Sequence, residues 1–167
     1  MARSITYQIG QALKYLHSHK IIHRDIKLEN IMLSNQKPTC AAKLADFGLA
    51  QPLETKGNRA GGSIGTFGYQ APEVMKGKVI GTPSDIWQLG CLLFAMLTVT
   101  LPVGTGEGDH GNPNTRDSSV YYDNVAVNID ALDNSDSCKD LLRGMLAINQ
   151  KTRLTIEQVL EHPFFTS

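Results

Sequence analysis

The run Ile86-Trp87-Gln88-Leu89-Gly90-Cys91-Leu92-Leu93-Phe94-Ala95-Met96-Leu97-Thr98 is apolar on nearly every side when wound as a helix. A helix of that kind cannot lie on a surface. It must form the centre of a domain, with other elements packed around it. The preceding Thr82-Pro83-Ser84-Asp85 predicts its start, with Thr82 as N-cap, Pro83 in the first turn and Asp85 near the positive end of the dipole. The apolar stretch around Leu89 to Leu97 is about half of what a bilayer span needs, so the helix is a core element and not a membrane anchor. A chain of 167 residues with 41% hydrophobic content has material for one such core; at this size roughly two-thirds of the unfolded surface is buried.

The remaining segments read as elements around that helix. Residues 4 to 19 place Ile5, Ile9, Ala12, Leu13 and Leu16 in one apolar helical stripe. Ile21-Ile22 is a short buried strand. Ile31-Met32-Leu33 and Ala42-Lys43-Leu44-Ala45 form a hairpin across a turn at Asn35 to Pro38. Gln51 to Gly65 has almost nothing apolar and reads as a mobile loop, and residues 102 to 118 as a long surface loop. Tyr121 to Ile129 fits either a short helix or an extended stretch. Ser135 caps a helix carrying Leu141, Leu142, Met145 and Leu146. Thr155-Ile156-Glu157-Gln158 is a capping box for a last short helix that ends before Pro163. The expected class is mainly α (α+β), one domain over residues 1 to 167.

Sixteen basic and sixteen acidic residues cancel, which argues against a general attraction to nucleic acid or membrane. Cys40, Cys91 and Cys138 are far apart and odd in number, so free thiols in a cytoplasmic or nuclear protein are expected. His17, His19 and His23 have no neighbouring cysteine or histidine to complete a metal set. Gly106 to Gly111 matches G-x-G-x-x-G in form alone. It lacks the preceding strand and following helix that would make it a phosphate cradle.

The chemistry-bearing stretch is His23-Arg24-Asp25-Ile26-Lys27-Leu28-Glu29-Asn30, followed by Asp46-Phe47-Gly48. Asp25 or Asn30 alone could be a turn former, and Asp46-Phe47-Gly48 alone a loop with a buried Phe. Together they supply a carboxylate to orient an attacking hydroxyl and oxygen ligands for Mg²⁺. The pattern H-R-D-x-K-x-x-N then D-F-G resembles the catalytic and metal-binding loops of eukaryotic-type protein kinases. Gly65-Thr66-Phe67-Gly68-Tyr69 before Ala71-Pro72-Glu73, then Asp85, Arg153 and His162-Pro163-Phe164, follow in that family's order. Lys27 and Thr66 match its serine/threonine version.

The resemblance implies a fold, roles and ligands. The fold is the helical C-terminal lobe, with short β-hairpins carrying the catalytic and metal-binding loops. Asp25 would orient the substrate hydroxyl and take its proton, and Lys27 would meet the γ-phosphate. Asn30 and Asp46 would bind Mg²⁺ with ATP. His23 and Phe47 would stack behind them, beside Gly48. Thr66 would meet both the catalytic loop and a protein or peptide substrate. Glu73 and Arg153 would form a buried ion pair, and Asp85 would brace the catalytic loop. Arg24 goes with an activation loop ordered by phosphate. The usual acceptor position falls on Gly62, which leaves Ser63 next to it and Thr55 further off.

No Gly-rich loop before a strand and no V-A-I-K lysine occur in these 167 residues. The expectation is therefore a C-lobe with its N-lobe missing or separate. An exposed apolar face should mark where that lobe sits, and turnover by the chain alone should be negligible. Three functions fit the motifs: a serine/threonine kinase, a non-catalytic kinase-like binding or scaffold module, and a split kinase completed in trans.

Overall fold

A computed structural model describes residues 1–35, 37, 39–54, 64–78, 80–103, 122 and 124–166. The Gly106 to Gly111 match, Ser63, Thr55, Gly62 and nearly all of the 102–118 loop lie outside the described residues. Helix α1 spans Ala2–Ser18 and buries Ile5, Ile9, Leu13 and Leu16, the stripe that the spacing predicts, with Ala12 only half-buried. Strand β1, Ile21–Ile22, leads into the His23 loop. A 3-10 turn at Leu28–Asn30 follows, then β2, Ile31–Leu33, and β3, Ala42–Leu44, paired antiparallel as a hairpin. The turn between them is set by Asn35, whose Oδ1 accepts from the Lys37 amide at 2.8 Å.

The segment from Gln51 is a loop only in part. Gln51–Pro52 forms β4 and pairs antiparallel with β1, placing Ile21 opposite Pro52 and Ile22 opposite Gln51. Two residues, one of them proline, carry no periodic signal, so this strand exists only through its tertiary partner.

Helix α2 is the single turn Pro72–Met75, and α3 runs Thr82–Thr98. Every residue of α3 from Ser84 to Ala95 is buried. Helices α1 and α5 (Asp136–Met145) both pack on it. Burying side chains such as Trp87, Leu89, Leu92 and Leu93 completely stabilises by about 1.5–3 kcal/mol each. The approach of α5 is set by Gly90, where an added Cβ would lie 2.9 Å from the Leu146 side chain. The start of α3 differs by one residue from expectation. Gly81 is the N-cap, in an extended conformation with no side-chain cap, and Thr82 is already helical. Ser84 Oγ donates to the Gly81 carbonyl at 2.7 Å instead.

The ambiguous stretch before α5 resolves as helix α4, Val125–Asp130, with Val125 and Ile129 buried. Ser135 Oγ caps α5 by accepting from the Cys138 amide. Thr155 and Gln158 form a full capping box on α6, Ile156–Leu160. That helix ends at Leu160, before Pro163 as expected, but it is not the last: Pro163 opens the short α7, Pro163–Thr166, since a proline lacking an N–H is tolerated in a first turn. Cys40, Cys91 and Cys138 are free and buried. No helix among the described residues is long and apolar enough to cross a membrane.

Candidate active site

The loop from His23 to Asn30 is held by α3. Asp85 is fully buried, and its carboxylate accepts from the His23 amide at 3.0 Å and the Arg24 amide at 2.9 Å. A buried carboxylate costs several kcal/mol unless its oxygens are satisfied. Here a third donor, His17 Nε2, lies 2.9 Å from Oδ2. Arg24 adopts φ 71°, left-handed for a residue with a side chain. Its Nε donates to the Leu49 carbonyl at 2.6 Å. Burial lowers the Arg24 pKa, with Asp85 opposing.

Asp25 projects from this loop into a cluster of donors. Thr66 Oγ1 donates to Oδ1 at 2.8 Å. Asn30 Nδ2 lies 3.1 Å from Oδ2, and Lys27 Nζ 2.9 Å from the same oxygen. Lys27 Nζ also donates to Thr66 Oγ1 at 2.7 Å. Burial, the largest single influence, raises the Asp25 pKa, yet the donors from Lys27, Thr66 and Asn30 together leave it below the ordinary value. The Lys27 pKa is raised, first by its hydrogen bond to Asp25. The pair is therefore ionised at neutral pH, carboxylate facing ammonium.

Asn30 and Asp46 reach the site from the two ends of the β2–β3 hairpin. The Ala45 amide donates to the Asn30 carbonyl at 2.9 Å, and the Ala45 carbonyl lies 3.2 Å from His23 Nε2. Those two contacts fix the residue before Asp46 between Asn30 and His23. Asn30 Nδ2 is spent on the Asp25 carbonyl, at 2.8 Å, and on the Asp25 side chain. That leaves Oδ1 as its ligand atom. Asp46 is exposed, with φ 57° and its Oδ1 accepting from the Gly48 amide.

Among the described residues no three His, Cys, Asp or Glu side chains gather into a metal cage. One carboxylate and one amide oxygen would fit Mg²⁺, which keeps several waters and takes few protein ligands. Phe47 does not stack on His23. It meets the ring edge-on, at 5.0 Å and 71°, and is 51% exposed.

Thr66 is delivered by Gly65, whose φ of 85° suits glycine. A Cβ there would fall 2.7 Å from the Arg24 carbonyl, so only glycine allows the two loops to touch. Behind them, Arg153 grips Glu73 with two hydrogen bonds, Nη1 to Oε1 at 2.6 Å and Nη2 to Oε2 at 2.9 Å. It also donates to the Pro83 and Ala147 carbonyls and lies over the Trp87 ring. Both charges are buried with their partners, an arrangement that ties α2 to the start of α3 and the segment before α6.

Sequence spacing does not reveal His17 or Gln88 as part of the site. His17 belongs to a histidine run with no metal set. Gln88 is the one polar residue between Ile86 and Leu97 in α3, three positions after Asp85, and that interruption was the available signal.

A family model described as "Protein kinase domain" matches residues 1–165. The chain belongs to the protein kinase domain family. It is 37% identical to the serine/threonine-protein kinase PLK4 of Nematostella vectensis over 99% of this chain and 16% of that protein. With the SNF1-related protein kinase catalytic subunit alpha KIN12 of Arabidopsis thaliana it shares 34% identity, over 99% of this chain and 31% of that protein. A crystal structure titled as the Rad53 kinase domain and SCD2 superimposes with TM-score 0.77 at 28% identity, covering 99% of this chain and 57% of that one. The chain thus spans less than a third of these curated relatives' length, and the resemblance is to eukaryotic-type serine/threonine kinases throughout.

Proposed function

We propose that this chain is the catalytic-loop lobe of a protein serine/threonine kinase, moving the γ-phosphate of ATP to Ser or Thr hydroxyls of a protein or peptide. One observation carries the reading: a buried carboxylate, Asp25, hydrogen-bonded at once to a hydroxyl, an ammonium and the amide of Asn30. The Thr66 hydroxyl donating to Asp25 Oδ1 is the contact that an acceptor hydroxyl would make before losing its proton. Asp25 orients that hydroxyl and takes its proton as the new bond from that oxygen to the γ-phosphorus forms and the bond from the γ-phosphorus to the β,γ-bridging oxygen breaks, ADP leaving with that electron pair. Lys27, held cationic by Asp25, offsets negative charge on the phosphoryl oxygens. Asn30 Oδ1 and Asp46 would hold Mg²⁺, which, with ATP bound, neutralises charge on the phosphates.

The exposed apolar residues Leu28, Met32, Leu33, Phe47 and Leu49 support a further lobe that covers the nucleotide, in the same polypeptide or in trans. Leu28 and Leu33 line one apolar hollow with Ile5, Ile31 and Met96, and exposed apolar surface of that kind marks an interaction face. Glu73, Arg153 and Asp85 are placed in supporting roles by this reading. Ser63 is proposed as a regulatory acceptor on its sequence position alone.

The test uses the chain itself. Mn²⁺ replaces Mg²⁺, is added with ATP at millimolar concentration, and its paramagnetic broadening is followed by NMR. Selective broadening at Asn30, Asp46 and Gly48, lost in Asp46→Ala, is expected. Uniform or absent broadening would overturn the metal assignment.

A further inference from the structure

Asp25 occupies a backbone stretch in which every polar group of the two flanking peptides has a partner. The Arg24 carbonyl accepts from Gln88 Nε2 at 2.9 Å. The Asp25 amide points at His23 Nδ1 at 3.4 Å, and the Asp25 carbonyl accepts from Asn30 Nδ2 at 2.8 Å. The Ile26 amide donates to Gln88 Oε1 at 3.0 Å. One side chain therefore holds the peptide on each side of Asp25. Those two peptides define the φ and ψ of Asp25, and with them the direction of its Cα–Cβ bond.

We infer that Gln88 is a positioning residue for Asp25, its carboxamide clamping the Arg24 carbonyl and the Ile26 amide so that the carboxylate is aimed at Thr66 and Lys27. The inference rests on the kinase reading for its purpose but not for its geometry.

A carboxamide is the side-chain group suited to this task. It carries a donor and an acceptor in one rigid plane, and Gln88, buried at 3% exposure, has no water to compete for either. Arg24 supplies the reason a clamp is needed. Its left-handed backbone is costly for a residue with a side chain and persists only where the surroundings over-determine it. Asp85 holds the Arg24 amide and Gln88 the Arg24 carbonyl. These two α3 side chains, three residues apart on one face, pin the strained residue at both ends.

The segment carrying Thr66 leans on the same point. The position of a Cβ on Gly65 lies 2.7 Å from the Arg24 carbonyl and 3.6 Å from Gln88 Nε2. A shift of the Gln88 amide therefore disturbs both the base of Asp25 and the approach of its hydroxyl partner.

A merely core-filling glutamine would be replaceable by an apolar residue of its length, with stability as the only casualty. The experiment separates these cases in the 167-residue chain without nucleotide. Gln88→Met keeps length and removes both hydrogen bonds. Gln88→Asn keeps the amide but cannot reach, and gives the same readout if the methionine variant does not fold. Leu92→Ala, in the core of α3, is the control for general destabilisation.

Amide exchange of Ile26 and the Cα shift and HN–Hα coupling of Arg24 are followed by NMR. In Gln88→Met the Ile26 amide is expected to exchange about 10-fold faster, and Arg24 to lose its left-handed signature, while α3 amides keep their protection. Unchanged Ile26 exchange and Arg24 coupling, or equal changes in Leu92→Ala, would overturn the inference. In any form of the protein with measurable transfer, kcat should fall while the KM for peptide holds; a rise in KM alone would also count against it. These NMR results stand even if no phosphoryl transfer is ever detected, so the two readings fail separately.

Discussion

Asp25 is ionised although burial opposes it, because Lys27, Thr66 and Asn30 all stabilise its charged form. The pH dependence follows from that balance. Its contribution to stability is present in full above the unfolded carboxylate value of about 3.9 and is lost as pH falls through the lower folded value. The raised Lys27 pKa acts at the other end, its contribution lasting until pH passes above the ordinary lysine range of about 10.4. Denaturant unfolding across acid pH should show the wild type and Asp25→Asn separated at neutrality and converging in acid. Parallel curves would refute the assigned network.

Gly65→Ala adds a Cβ 2.7 Å from the Arg24 carbonyl at positive φ and should destabilise by about 1 kcal/mol or more, read as a lower urea midpoint. At this scale the sequence shows Asp25, Lys27, Asn30 and Asp46 through their spacing. Gln88 and His17 escape it because their partners lie far along the chain, 62 residues away for Ile26 and Gln88. Only folding brings such pairs together.

Among the elements, α3 is the frame to which the loops are fastened. Its face presents Asp85 and Gln88 to the catalytic loop, while Trp87 lies under Arg153. Arg153→Met strands the Glu73 carboxylate in the interior and should cost roughly 3–5 kcal/mol. Adding Glu73→Leu to it should recover part of that loss, because no buried charge then remains unpaired. A double-mutant cycle by chemical denaturation measures both; full additivity would show that the pair is not coupled.

The helices α1, α3, α5 and α6 are legible from their apolar spacing and their Ser135 and Thr155 caps. The strand β4 is not, being two residues long with a proline. The start of α3 is misjudged by one residue because Gly81, lacking a side chain, gives no capping signal. The edge-on, exposed Phe47 is also hidden from the sequence, since a Phe in a loop such as Asp46-Phe47-Gly48 reads as buried.

For the whole molecule, Leu28, Met32, Leu33, Phe47 and Leu49, all within or next to the segments that carry Lys27, Asn30 and Asp46, are exposed. Phosphoryl transfer in such enzymes is almost entirely positioning and electrostatics, and good positioning is worth roughly 7–11 kcal/mol. On the proposed reading, a chain that holds Asp25, Lys27, Asn30 and Asp46 without a lobe over the nucleotide should bind Mg²⁺–ATP weakly and turn over negligibly. Robust peptide phosphorylation by the pure 167-residue protein would contradict that dependence on a covering lobe.

The most direct measurement is transfer of labelled γ-phosphate from ATP to Ser/Thr peptides by the full chain joined to a kinase lobe that covers the nucleotide. The account predicts transfer to serine or threonine that falls about 10²–10⁴-fold in Asp25→Asn, with the variant as well folded as the parent. A folded, ATP-binding protein whose transfer is absent, or is the same with and without the Asp25 carboxylate, would contradict it.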